Sequence, residues 1–133
     1  YADKFSVGTV GEVYSVSSLK TINHHFPLAK YSEYLPWYFY SNESFFKINK
    51  VIINKSLIRN YRLTLDYEED LKMFNKLFYL LKMKQLKNNI KNIFKVMDNN
   101  KSLVNINKSK KLVYTQKAFS RNLYRNTKFK SII

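Results

Sequence analysis

Apolar residues recur at helical spacing most clearly between Leu71 and Leu81. Leu71, Phe74, Leu77, Phe78 and Leu81 form one stripe, with Lys72, Asn75, Lys76 and Lys82 opposite. Just before it, Asp66-Tyr67-Glu68-Glu69 has capping-box spacing, which predicts a helix start with Asp66 as N-cap and Glu69 reaching back. Acids in that first turn also suit the positive end of the helix dipole. Leu86, Ile90, Ile93, Phe94 and Met97 form a second stripe, ended by Asp98-Asn99-Asn100. A short aromatic helix is expected from about Ser32, with Pro36 in its first turn and Trp37, Tyr38, Phe39 and Tyr40 nearly all round it. A basic helix is expected over Ala118–Arg125.

Period-two or β-rich runs predict strands at Val10–Ser18, Phe45–Ile48, Val51–Ile53, Tyr61–Leu65, Leu103–Ile106 and Leu112–Tyr114. Ser17 or Ser18 then caps a short helix carrying Leu19 and Ile22, and Asn23–Lys30 reads as a loop. With Phe45–Ile48 and Val51–Ile53 as two short strands or one kinked one and Leu103–Ile106 and Leu112–Tyr114 weak, three or four short strands interleaved with helices predict an α/β fold with fewer strands than a doubly wound sheet carries. The expected organisation is a sheet-containing part over residues 1–84 and a helical, basic extension over 85–133.

Composition narrows the chemistry. The 133 residues suit one domain. With no cysteine, disulfides, thiolate metal sites and a cysteine nucleophile are excluded. The only histidines, His24 and His25, are adjacent and point apart, which disfavours a histidine metal cage. Two glycines do not make a phosphate-binding loop. No apolar run is long enough to span a membrane and no signal-peptide pattern opens the chain, so a cytoplasmic protein is expected.

The net charge of +15 is unevenly placed. Residues 1–70 carry eight basic and eight acidic side chains; residues 71–133 carry sixteen basic side chains against Asp98 alone. Lys, Asn, Ile, Phe and Tyr make up nearly half the chain, as an AT-rich coding sequence produces. Arginine, the residue suited to bidentate base readout, supplies only four of the 24 basic side chains, which argues against nucleic acid as the partner.

Leu63-Thr64-Leu65-Asp66 is the one place where spacing points to chemistry. An acid at the carboxyl end of a strand that also opens a helix can offer oxygens to Mg²⁺, and it can equally be a plain N-cap. Physics alone leaves both roles open.

Several blocks, however, together resemble the later half of the cytidylyltransferases of the acylneuraminate and spore-coat-polysaccharide type. They are Glu12-Val13-Tyr14-Ser15, Ser32–Phe39, Asn42–Ile48, the Arg59–Leu71 run containing Arg62-Leu63-Thr64-Leu65-Asp66-Tyr67, Met73-Phe74-Asn75 and Val104–Asn107. The resemblance runs from about Gly8 to Lys108. It implies a partial Rossmann-like sheet of the nucleotide-diphospho-sugar transferase type and Mg²⁺-dependent transfer of CMP from CTP to an acidic sugar for surface polysaccharide or glycan synthesis. It implies Asp66 as the catalytic, metal-holding carboxylate. Substrate-binding candidates are Glu12, Glu33, Arg62, His24 and His25, and the assembly implied is a homodimer.

Glu68 stands where the family usually has Pro, and Tyr34 where many members have His. The family's nucleotide loop and early metal aspartate have no counterpart, so the expected chain is a C-terminal half, inactive alone, needing the missing N-terminal half. The alternatives are a non-catalytic association module or degenerate fragment, and a basic nucleic-acid binder resting on residues 71–133.

Overall fold

The structure, a computed structural model, describes residues 6–9, 11–49, 51, 54–111 and 116–130. Its helices are α1 (Val16–His25), α2 (Leu35–Tyr40), α3 (Glu68–Met83), α4 (Ile90–Asp98), α5 (Lys101–Val104) and α6 (Lys117–Thr127). Short 3₁₀ turns occur at Ser32–Tyr34, Glu43–Phe45 and Lys55–Leu57. Contacts divide the chain into two compact units: Tyr1–Gly11 with Ile52–Lys111, and Glu12–Val51 with Leu112–Ile133. Residues 84 and 85 both lie in the first.

Among the described residues there is no strand and no sheet. Extended pairing is limited to one isolated parallel bridge, Val7 with Arg62. The expected α/β fold with a partial Rossmann-like sheet is therefore overturned in favour of a mostly helical chain. The reason is backbone hydrogen bonding: a strand satisfies its amides only through a neighbour, whereas a helix does so within itself. Within Tyr61–Leu65 the pairing seen among the described residues is the single bridge to Val7, through Val7 N–H to Tyr61 C=O (2.9 Å) and Leu63 N–H to Val7 C=O (2.8 Å). The run expected as a strand before Ser18 is irregular over 11–15 and then helical from Val16, because the Ser15 hydroxyl accepts from the Ser18 amide at 3.1 Å and caps α1. That helix also takes in His24 and His25 of the expected loop. Leu103-Val104 is helical too, which buries Leu103 against α3 and α4. Phe45 closes a 3₁₀ turn. Val10, 52–53 and 112–114 lie outside the described residues.

The first unit is built on α3. Asp70, Met73, Leu77 and Leu81 face inward at spacings of three and four, joined by Phe94, Val96 and Met97 of α4, by Leu103, and by Leu63 from the extended segment. Full burial of each large aliphatic side chain contributes roughly 1.5–3 kcal/mol. α4 is capped by the Asn89 side chain, which accepts from the Asn92 amide. Gly8 permits the bridge: its φ is +89°, and a Cβ there would fall 2.0 Å from the Leu63 carbonyl oxygen.

The second unit packs Ile22, Tyr38, Phe39 and Phe129 into an aromatic-rich core. Pro36 sits in the first turn of α2, as its fixed φ favours. Asn42, 4% exposed, ties α2 to the end of α6. Its amide donates to the Tyr38 and Thr127 carbonyls, each at 2.7 Å, and its carbonyl accepts from the Phe129 amide at 2.7 Å. No helix among the described residues is long and apolar enough to cross a membrane.

Candidate functional site

The first unit gathers its polar groups where the extended segment turns into α3. Tyr67 is the N-cap, so Asp66 lies outside the helix, and Asp70, not Glu69, is the acid at the third helical position that reaches back. Asp70 Oδ2 accepts from the amides of Tyr67 and Asp66, each at 3.0 Å. Glu69 instead pairs with Lys110 at 2.7 Å, and Glu68 with Lys72 at 2.7 Å.

Asp70 has no exposed surface, and its countercharge is Arg62, whose side chain is 7% exposed. Arg62 Nε donates to Asp70 Oδ1 at 2.8 Å and Nη2 to Oδ2 at 2.9 Å, the planar fork that favours carboxylates. Asn107 adds a donor to Oδ1 at 2.8 Å. Burial alone pushes the Asp70 carboxyl upward. The Arg62 fork, the Asp66 amide, Asn107 and the Tyr67 amide outweigh it and hold Asp70 well below the usual carboxylate range. The same pair raises Arg62, already permanently charged, further.

Asp66 sits at the outer edge of this cluster with its side chain 51% exposed. Its Oδ2 accepts from Arg62 Nη2 at 2.6 Å and from the Thr64 hydroxyl at 3.1 Å; its Oδ1 has no partner among the described residues. Arg62 lies 5.1 Å from the centroid of the Tyr67 ring, and Lys110 lies 5.3 Å from it. Of the three guanidinium nitrogens of Arg62, Nη1 is buried and has no hydrogen-bond partner among the described residues.

The other sequence-derived candidates belong to the second unit. Glu12 and Glu33 are exposed, Glu33 within a 3₁₀ turn. His24 and His25 close the last turn of α1, where His25 stacks on Phe129 with ring centroids 4.0 Å apart. The site residues brought together are Arg62 and Asp66. Spacing did not reveal Asn107, which lies 45 positions from Arg62 and 37 from Asp70 and is joined to them only by the fold. A second ion pair, Arg59 with Asp98 at 2.9 Å, holds the C-terminal end of α4. Tyr61 donates to the same carboxylate, and burial first, then that bond, push its hydroxyl up to about 12.

An apolar cavity of about 600 Å³ lies between the Gly8 turn, α3 and the start of α4, lined by Leu57, Leu63, Phe74, Ile90, Ile93 and Phe94 among others. Neither Arg62 nor Asp66 lines it. Among the described residues, no three His, Cys, Asp or Glu side chains gather in a way that could hold a metal ion. Asp66 thus offers one free carboxylate oxygen, beside a hydroxyl and a guanidinium. A cation held there would have one protein oxygen and would take its other ligands from elsewhere. No protein-family profile, curated protein or solved structure matches the chain.

Proposed function

We propose that the chain is the C-terminal half of a cytidylyltransferase that transfers CMP from CTP to an acidic sugar, with Asp66 as its metal-holding carboxylate. The observation that carries this reading is the half-exposed Asp66 side chain, whose Oδ1 has no partner among the described residues, within an Arg-Leu-Thr-Leu-Asp-Tyr block that resembles that family. Bound there, Mg²⁺ supplies neutralisation of phosphate charge, the main need of such a transfer.

This chain's own residues do the rest on one side only. Arg62 and the Thr64 hydroxyl both hold Oδ2 of Asp66, which leaves Oδ1 as the oxygen for a cation. Arg62 itself is committed to Asp70 and Asp66, which leaves it a support for the carboxylate more than a sugar-binding group. A triphosphate cradle and a second carboxylate have to come from a complementing N-terminal half, so the 133 residues alone are expected to be inactive.

The test is pyrophosphate release from CTP with acidic sugars, measured in the complete protein and in its Asp66→Asn variant. Loss of at least a hundredfold in the variant is expected. Unchanged release would remove Asp66 from the reaction.

A second reading, a non-catalytic association module, is favoured by Leu71, Phe78, Tyr79 and Met83, which leave large apolar surface exposed on α3. Light scattering discriminates, since a strictly monomeric chain contradicts it.

A further inference from the structure

We infer that Asn107 is a positioning residue for the Asp66 carboxylate, acting through Asp70 and Arg62. Its significance for metal binding rests on the reading of Asp66 given above; its effect on the cluster does not.

Asn107 stands in the turn after α5 and is 1% exposed. Both hydrogens of its amide nitrogen are used, one on the Arg62 carbonyl at 3.0 Å and one on Asp70 Oδ1 at 2.8 Å. Asp70 Oδ1 therefore has two donors, Asn107 and Arg62 Nε, and Oδ2 has three, Arg62 Nη2 and the amides of Asp66 and Tyr67. With both oxygens occupied, the carboxylate cannot rotate without breaking a buried hydrogen bond. A fixed Asp70 fixes the plane of the guanidinium forked onto it, and that plane fixes where Nη2 presents its remaining hydrogen. Asp66 Oδ2 lies there, at 2.6 Å. The direction of the free Oδ1 is thus set, three contacts away, by an amide far along the chain.

The residue type is part of the argument. Asp at 107 would set a carboxylate against Asp70, and Leu would leave both the Arg62 carbonyl and Asp70 Oδ1 a donor short. The rest of the turn reinforces the placement, because Lys110 pairs with Glu69 and the Tyr67 hydroxyl donates to the Lys111 carbonyl at 3.4 Å. Arg62, Asp70, Tyr67 and Glu69 are thereby all held from one short C-terminal segment.

The experiment is NMR on the ¹⁵N-labelled chain, comparing wild type with Asn107→Ala and with Asn107→Ser, which keeps one donor. The readouts are hydrogen exchange of Arg62 Nε–H and of the Asp66 and Tyr67 amides, with the Leu77 amide in the middle of α3 as the internal reference. Loss of a hydrogen bond to a buried charge predicts exchange about tenfold faster or more at Arg62 Nε–H and Asp66 in Asn107→Ala, a smaller change in Asn107→Ser, and none at Leu77. Unchanged exchange at Arg62 and Asp66 overturns the inference. So does a uniform acceleration that includes Leu77, or failure of both variants to fold, since either makes Asn107 a residue of the fold alone. Mn²⁺ alone is then added to the wild type. Broadening at Thr64–Tyr67 that Asp66→Asn abolishes supports the metal reading. Its absence counts against that reading and leaves the Asn107 result to be decided by Arg62 exchange.

Discussion

Replacing Asp70 by Asn is the sharpest test of how the first unit is held together. The two side chains have the same shape, so the change removes charge and one acceptor without opening a cavity. Asp70 accepts five hydrogen bonds, two on Oδ1 and three on Oδ2. Whichever way an Asn amide is turned, its NH₂ faces at least two donors. Arg62, 7% exposed, is left with only the half-exposed Asp66 as countercharge. Breaking a buried ion pair from one side costs about 3–5 kcal/mol, a large part of the roughly 5–15 kcal/mol that stabilises an ordinary domain. With a urea slope of about 1.5 kcal/mol per molar, the midpoint should fall by about 2 M or more, read from the helical circular dichroism signal. Because the pair is shielded from solvent, added salt should change this difference little. Replacing both partners, Arg62→Met with Asp70→Leu, should recover part of the loss, since no charge is then stranded. A loss below about 1 kcal/mol for Asp70→Asn, the range of an exposed pair, would refute the account of the cluster as a buried anchor.

Three further outcomes follow from the same geometry. Gly8→Ala should destabilise the first unit by more than about 1 kcal/mol and expose the Val7 and Leu63 amides to exchange, because the added Cβ meets the Leu63 carbonyl at 2.0 Å and φ is +89°. Asp70 lies below its unfolded value, so its contribution is fully present above about pH 4 and is lost as pH falls through the depressed folded value; acid titration of stability should show a fall that Asp70→Asn lacks. Asn42→Ala should lower stability by about 2–3 kcal/mol, measured by thermal or urea unfolding, since the Tyr38 and Thr127 carbonyls and the Phe129 amide all lose a buried partner.

The legible part of the fold was helical. The periodicity from Leu71 to Leu81 marked α3 and that from Leu86 to Met97 marked α4, because a helix draws its hydrogen bonds from residues three and four apart; of the α3 stripe Leu77 and Leu81 are buried, while Leu71 and Phe78 stay exposed. The acids of the first turn announced the start of α3, although the partner that reaches back is one residue later than the spacing of Asp66 and Glu69 suggested. The strands were misread for the converse reason. Val, Tyr and Ile runs record fitness for a pleated surface, and whether a neighbour exists to form that surface is not written in the run itself. Among the described residues Tyr61–Leu65 has one bridging partner, Val7; Val16-Ser17-Ser18 and Leu103-Val104 joined helices.

The site divides along the same line. Local spacing and the acid-rich helix start drew attention to Asp66, and the family resemblance added Glu12, Glu33, Arg62, His24 and His25, of which the fold brings only Arg62 to Asp66. Only the tertiary structure decided that Asp70 is the buried countercharge of Arg62, that Asp66 is the exposed one, and that Asn107 joins them from 37 positions beyond Asp70. Hydrogen bonds between distant segments depend on how helices pack. Packing depends on the whole set of buried faces, so no single stretch of the chain could have declared it.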